Sequence, residues 1–256
     1  MHRRNAFKSR MRAGEQTIGC WLHLNSGIAA ELLALAGFDA LIIDHEHGPG
    51  DLAGAIQAMQ AMSATRASPI LRVPANDPVA IKRALDIGVE GIMIPGVNSA
   101  AEASAAVAAC RYPPHGIRGA AYGMVRASDY GLATKAYADG LHDNLLIICQ
   151  IETATAVEAI PDIAAVDGVD MLFIGPNDLS GSIGKLGRFD DPEYLALKRR
   201  AEETILASGA LLGGLATPVE GPDEMLRRGY CLVTAASDVS LLRDAARAHL
   251  KAMRGA

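Results

Sequence analysis

Two carboxylates, each placed where an apolar run ends, are the residues of this chain best suited to chemistry. Glu152 follows the run LLIICQI and Asp178 follows MLFIGPN, with one helix-sized interval between them. In a parallel strand–helix–strand unit the right-handed crossover returns the second strand in the direction of the first, so neighbouring strands would place both acids at one sheet edge. Adjacent acids repel unless they share a proton or bind a cation, and a hard divalent ion such as Mg²⁺ or Mn²⁺ suits them. The alternative is that each acid only caps the helix that follows it.

Other polar residues follow the neighbouring apolar runs. The second run ends in Asp44, His45, Glu46 and His47, and Arg72 lies near the end of the third. Alternation along an extended segment lets at most one of the two histidines point inward with Asp44. A buried arginine needs an anion, so Arg72 is expected to pair either with Asp44 or Glu46, or with a bound carboxylate or enolate.

The histidines and lysines of the chain indicate which metal and which reaction mechanism are to be expected. The DHEHG segment suggests zinc as an alternative, but zinc usually takes three or four nitrogen or sulfur ligands. A Schiff-base mechanism needs a desolvated lysine, and no lysine of this chain falls at an inward strand position. A metal ion is therefore the expected electron sink.

Apolar strand patterns alternate with helical patterns along the whole chain. The eight strand-like runs cover residues 17–23, 39–44, 68–73, 91–95, 145–151, 170–175, 210–215 and 230–235. Short, continuously apolar strands indicate a sheet buried on both faces, and eight such units predict a single α/β domain over residues 1–256, a (β/α)₈ TIM barrel. A doubly wound open sheet is disfavoured because no GxGxxG follows the first strand. In a barrel the polar strand ends form the site.

Four segments outside the predicted strands lead to further predictions. The basic N-terminus is predicted to be a solvated arm or an interface segment, and residues 111–143 an irregular insertion of functional or interfacial importance. One helix containing Pro161 is predicted near residues 154–166. Thr217 and Glu220 are predicted to start another helix as a capping box.

Composition excludes several classes of protein. The chain has 256 residues, half of them hydrophobic, and a net charge of −5. No apolar run is long enough to cross a membrane, and the acidic balance without a concentrated basic face argues against nucleic acid binding. The four scattered cysteines and the absence of a signal-peptide pattern favour a reduced, cytoplasmic location.

The segments DHEHGP, LRVPANDP, RYPPHGIRG, QIET and GPNDLS, in this order and spacing, closely resemble the HpcH/HpaI aldolase family. The resemblance covers nearly the whole chain. It implies a class II pyruvate aldolase on a (β/α)₈ barrel that uses Mg²⁺, Mn²⁺ or Co²⁺ and assembles as a homohexamer. The expected reaction is reversible cleavage of a 4-hydroxy-2-oxo acid into an aldehyde and pyruvate, or a related 2-oxo acid such as hydroxypyruvate.

The resemblance also implies roles for individual residues. Glu152 and Asp178 would bind the metal, His47 would be the base, and Arg72 would stabilise the enolate. The substrate-binding residues would be Arg72, Gln150, Gly175, Pro176, Asn177 and Asp178. At position 177 relatives often carry a small Ala or Ser, so an inward Asn177 side chain would shift the acceptor preference.

Asp86, in ALDIGVEG, matches an acid that raises the basicity of the histidine. The helical pattern places Asp86 at a helix C-terminus, on the far face of the barrel from His47, so a neighbouring subunit would have to supply it. The alternative is a solvated acid just before a helix-ending glycine.

Two other functions stay open from the sequence. A malyl- or citramalyl-thioester lyase uses a related barrel, but it would need a coenzyme A site and no basic phosphate-binding stretch is present. A non-catalytic barrel that serves as a binding protein would show no dependence on divalent metal.

Overall fold

The computed structural model describes residues 4–254, which form a closed barrel of eight parallel strands in sequence order. The predicted (β/α)₈ TIM barrel is therefore confirmed. The strands are Thr17–Leu22 (β1), Ala40–Asp44 (β2), Ser68–Arg72 (β3), Gly91–Ile94 (β4), Leu146–Ile151 (β5), Met171–Ile174 (β6), Leu211–Leu215 (β7) and Leu232–Ser237 (β8).

One helix precedes the first strand, and the other helices follow the strands and cover the barrel. They are Ala6–Arg12 (α1), Gly27–Ala36 (α2), Leu52–Ala61 (α3), Pro78–Asp86 (α4), Ala100–Cys110 (α5), Thr134–Asn144 (α6), Ala154–Glu158 (α7), Ile160–Ala164 (α8), Pro176–Ser182 (α9), Pro192–Ser208 (α10), Pro222–Arg227 (α11) and Asp238–Arg254 (α12). Side chains that accept a backbone N–H fix many of the helix starts. These caps are Asn5, Ser26, Asp51, Asp77, Ser99, Thr153 and Asp191.

The strands are buried on both faces because their side chains alternate between two apolar layers. One layer fills the barrel and includes Ile42, Ile70, Ile148 and Phe173. The other lies between the strands and the surrounding helices. Polar residues are thereby left to the strand ends, where the site is expected.

Helix α1 corrects the expectation of a solvated N-terminal arm. Phe7 and Met11 are each only 2% exposed and pack with the residues that fill the barrel. Asn5 caps this helix and donates from its side chain to the backbone oxygens of Glu90 and Asn144. The segment from residue 4 onward is therefore part of the folded barrel. Residues 1–3 lie outside the described part.

Three further expectations about the connections are corrected. Residues 111–143, predicted to be irregular, contain the 3₁₀ turn Arg126–Ser128 and most of α6. The helix predicted near 154–166 is two short helices, with Pro161 in the first turn of α8, where its missing N–H costs little. Thr217 and Glu220 pair with each other in an antiparallel bridge, and the next helix begins at Pro222 after the cap Gly221.

Two helices each expose three or more large apolar side chains. On α2 these are Ile28, Leu32 and Leu35, spaced at three and four residues, and on α12 they are Val239, Leu241, Leu242, Leu250 and Met253. A helix that presents an apolar face to solvent lacks the partner that would cover it. Within residues 4–254, no helix has the length and apolar character needed to span a membrane.

Candidate active site

Asp44 and Arg72 form the buried polar centre at the carboxyl ends of β2 and β3. The strand register pairs the two residues directly. Arg72 donates from Nε to Asp44 Oδ1 at 2.8 Å and from Nη2 to Oδ2 at 2.7 Å. Burial alone would raise the pKa of Asp44, but donors from His23 and Arg72 hold it well below its usual range. Asp44 is therefore a permanent carboxylate that orients the guanidinium.

The guanidinium of Arg72 is held on two further sides. Its Nη1 lies 3.0 Å from Glu46 Oε2, and its central carbon lies 4.4 Å from the centroid of the Trp21 ring. Of the two pairings predicted for Arg72, the structure shows the one with Asp44 and Glu46. Because Glu46 is half-buried, its pKa is raised, mainly by desolvation. Of the two carboxylates that contact Arg72, Glu46 is the one that an incoming anion can displace at the smaller cost in free energy.

Glu152 is a nearly buried carboxylate at the end of β5. Its Oε1 accepts from Gln150 Nε2 at 2.8 Å, and its Oε2 accepts from the backbone N–H of Gly96 at 2.9 Å. Burial raises the pKa of Glu152 to about 7, and the nearby charges of Asp178 and Glu46 act in the same direction. Among residues 4–254, no cationic side chain forms an ion pair with Glu152.

The turn after β6 places the last predicted residues beside Glu152. Gly175 precedes helix α9, Pro176 starts it, and Asn177 and Asp178 are exposed in its first turn. A Cβ on Gly175 would lie 2.8 Å from Glu152 Oε1, so only glycine leaves the carboxylate in place. The free N–H groups of the first turn favour an anion at this position.

With Glu152 as the predicted metal ligand, we expect Gly175→Ala to displace its carboxylate and to weaken divalent metal binding by about 10- to 100-fold. Gly181→Ala on the same helix is the matched control, because the nearest atom to its Cβ is Leu186 Cδ1 at 3.4 Å. Metal affinity measured by calorimetry checks this. Equal affinities for both variants would contradict the placement of Glu152.

The two histidines of the DHEHG segment point in different directions. His47 borders the cavity with a side chain that is 65% exposed, and its Nε2 lies 3.9 Å from Glu46 Oε2. His45 points between the strands and helices, where its Nε2 is buried without a hydrogen-bond partner and burial lowers its pKa. Of these two histidines, only His47 is therefore positioned to exchange a proton with a ligand in the cavity.

Asp86 lies at the C-terminal end of α4, as predicted, and pairs with Arg118 Nη2 at 2.7 Å. Arg118 is almost fully buried and stacks on the ring of Tyr112. Within one chain, Asp86 neutralises this arginine and does not line the cavity that His47 borders. A role for Asp86 toward His47 stays a prediction that requires a second subunit.

His23 is a site residue that the sequence reasoning missed. It follows β1, and its Nε2 lies 3.0 Å from Asp44 Oδ2. The register of β1 and β2 pairs Leu22 with Ile43, which puts His23 beside Asp44. The available signal was this strand end, because His23 is the one polar side chain that directly follows the first apolar run.

The predicted residues converge on one cavity of about 310 Å³ at the carboxyl ends of the strands. Its lining contains every residue predicted for metal and substrate binding together with His47: Arg72, Gln150, Glu152, Gly175, Pro176, Asn177 and Asp178. No lysine lines it in the described part of the chain. A larger cleft of about 1370 Å³ involves α1 and the ends of α5 and α6, and none of the predicted residues lines it.

The donor set of this cavity suits a hard divalent ion. Glu152 and Asp178 supply carboxylate oxygens, and Gln150 Oε1 is buried with no hydrogen-bond partner. Within residues 4–254, no group of three or more His, Cys, Asp or Glu side chains is arranged to hold a metal, as a zinc site would require. Mg²⁺-type ions need only one or two protein carboxylates, because water and substrate complete the coordination.

Residues 17–245 match the HpcH/HpaI aldolase/citrate lyase family. The chain belongs to this family. The cavity described above therefore lies in a barrel of this family.

Individual relatives extend this result. The chain is 39% identical over 244 residues to a hydroxypyruvate/pyruvate aldolase of Agrobacterium fabrum, covering 95% of this chain and 91% of the relative. It is 40% identical over 244 residues to a 4-hydroxy-2-oxo-heptane-1,7-dioate aldolase of Escherichia coli, covering 95% and 93%. A crystal structure of a family member from Burkholderia cenocepacia J2315 superposes with a TM-score of 0.92 at 37% identity, covering 98% of this chain and 99% of that one.

Proposed function

We propose that this protein is a metal-dependent class II aldolase that reversibly cleaves 4-hydroxy-2-oxo acids into an aldehyde and pyruvate, or a related 2-oxo acid such as hydroxypyruvate. The observation that carries the proposal is the buried Glu152 carboxylate, which lines one cavity together with Asp178 and Arg72 and is near enough to feel the charge of Asp178. The absence of lysine from the described cavity lining supports a metal-dependent route. The relatives named above support the substrate class.

Glu152 and Asp178 would hold the divalent ion, whose positive charge would stabilise the negative charge of a 2-oxo acid enolate. Gln150 and the backbone N–H groups that start α9 would orient the carboxylate and keto oxygens of the substrate. Arg72 would add a second positive charge, since its rigid pairing with Asp44 fixes the guanidinium before the substrate arrives.

In the cleavage direction His47 would remove the proton of the C4 hydroxyl. The C3–C4 bond then breaks, the aldehyde leaves, and the electron pair of that bond passes into the enolate, which takes a proton at C3 to give pyruvate. His47 suits this exchange because an imidazole can both accept and donate a proton and its side chain is open to the cavity mouth. The exposed Asn177 side chain would contact the departing aldehyde.

The function is tested by a coupled assay that detects pyruvate, run across several 4-hydroxy-2-oxo acids with Mn²⁺, Mg²⁺ or Co²⁺ and with EDTA. We expect turnover that EDTA abolishes and that any suitable divalent ion restores. Full activity in EDTA, or no pyruvate from any substrate, would contradict the proposal. Cleavage confined to malyl- or citramalyl-thioesters would identify a lyase of that kind.

We further propose that the protein is a homo-oligomer, a hexamer by family resemblance. The apolar faces of α2 and α12 support this, because Ile28, Leu32 and Leu35 are 72%, 64% and 69% exposed in the single chain. Light scattering should give about six times the chain mass of 26.8 kDa. A monomer at micromolar concentration would contradict this prediction, and it would also remove any cross-subunit role for Asp86.

A further inference from the structure

His23 contacts the polar centre of the cavity without belonging to the metal or substrate residues. Its side chain is 28% exposed and borders the cavity beside Trp21, whose ring centroid lies 6.2 Å from the imidazole. Its two ring nitrogens face different carboxylates. Nε2 lies 3.0 Å from Asp44 Oδ2, whereas Nδ1 is buried without a hydrogen bond at 3.9 Å from Asp238 Oδ1.

The backbone fixes His23 in this position. Asp238, the first residue of α12, accepts from the backbone N–H groups of His23 and Leu24 at 2.9 Å each. The end of β1 is thereby tied to the start of α12. The backbone of His23 is consequently held by Asp238, and its imidazole is turned toward Asp44.

Asp44 connects His23 through hydrogen bonds to the other groups of the site. Besides Arg72 and His23, its carboxylate accepts from the backbone N–H groups of Glu46 at 3.0 Å and His47 at 3.4 Å. One buried carboxylate therefore sets both the orientation of the guanidinium and the turn that carries His47. With side-chain donors on both sides, from His23 after β1 and from Arg72 on β3, its rotation is blocked.

We infer that His23 is a positioning residue for the proposed aldol reaction: its Nε2–H holds the Asp44 carboxylate in the rotamer that aligns Arg72 and the Glu46–His47 turn. The inference rests on the proposed function and adds to it the residue that directly follows β1. Without the donor from His23, Asp44 Oδ2 keeps only the bond from Arg72 Nη2, so the carboxylate and the guanidinium can shift together, and the turn that Asp44 Oδ1 holds moves with them. A displacement of about 1 Å in a catalytic group costs about 100-fold in rate.

The test uses three substitutions in the full-length protein. Gln places its amide nitrogen where Nε2 of histidine lies, Asn places it where Nδ1 lies, and Phe keeps the ring without a donor. We expect His23→Phe and His23→Asn to lower kcat for aldol cleavage by about 100-fold, while His23→Gln retains it within about 5-fold. Mn²⁺ affinity should stay unchanged in all three, because β5 and β6 are untouched.

The outcomes separate the inference from the proposed function. An active wild type with equally active His23→Phe and His23→Asn variants would overturn the inference alone, as would a His23→Gln variant as slow as His23→Phe. Loss of Mn²⁺ binding in His23→Phe would also overturn it, since it would show a general structural role. A wild type without metal-dependent cleavage of any 4-hydroxy-2-oxo acid would overturn the proposed function itself.

Discussion

Glu152→Gln should abolish aldol cleavage and, in EDTA at pH 8, raise the melting temperature of the protein above that of the wild type. The activity loss is expected to be at least about 1000-fold, roughly 4 kcal/mol, because a metal ligand is removed. The fold should tolerate the change. The new amide oxygen still accepts from the Gly96 N–H, and a half-turn of the Gln150 amide lets the new NH2 group donate to Gln150 Oε1 in place of the bond from Gln150 Nε2.

The stability gain follows from the raised pKa of Glu152. A carboxyl whose pKa rises on folding from 4.5 to about 7 destabilises the folded state as pH increases through this range, because the unfolded chain releases the proton more easily. The penalty is absent below pH 4.5 and complete above pH 7, where it amounts to roughly 3 kcal/mol. Glutamine does not titrate, so the variant should melt roughly 5–10 °C higher than the metal-free wild type at pH 8 and at a similar temperature at pH 4.5.

Differential scanning calorimetry with and without Mn²⁺ measures this effect. Mn²⁺ should raise the melting temperature of the wild type and leave that of Glu152→Gln unchanged. Glu203→Gln, an exposed change on α10, is the matched control and should alter neither stability nor activity. A Glu152→Gln variant that keeps wild-type turnover would remove Glu152 from the metal site.

Arg72→Lys should lower kcat by about 100- to 1000-fold, the usual cost of losing one preorganised donor to an oxyanion. Lysine keeps the charge, but it cannot form the paired bonds from Nε and Nη2 to Asp44 or stack its plane on Trp21. Steady-state kinetics with saturating Mn²⁺ checks the prediction. Arg83→Lys on the exposed face of α4 is the control, and a near-normal rate for Arg72→Lys would exclude Arg72 from the reaction.

The barrel and its metal-site acids were readable from the sequence because both depend on local patterns. Continuous apolar runs such as MLFI form strands buried on both faces, and a polar residue that ends such a run must lie at a sheet edge. The N-cap at Ser99 is also local: Ser99 Oγ accepts from the Glu102 N–H, and Glu102 Oε2 accepts from the Asn98 N–H instead of from that of Ser99. Glu152, Asp178 and Arg72 were found in this way.

Features that depend on distant parts of the chain were missed. Helix α1 is stabilised by Phe7 and Met11, which pack against barrel residues far along the sequence. No pattern in the neighbouring residues predicts that contact. The contact of His23 with Asp44 depends on the alignment of β1 with β2, which the end of the first apolar run does not reveal by itself. Thr217 and Glu220 have the residue types of a capping box, but in the structure the two residues pair with each other in an antiparallel bridge.

The central claim is that Glu152 and Asp178 together hold the divalent ion on which cleavage depends. A titration of the metal-free protein with Mn²⁺, followed by electron paramagnetic resonance, tests it most directly when wild type, Glu152→Gln and Asp178→Asn are compared. We predict one bound ion per chain in the wild type, a spectrum that changes when pyruvate is added, and loss of binding in both variants. Equal Mn²⁺ binding by all three proteins would contradict the claim.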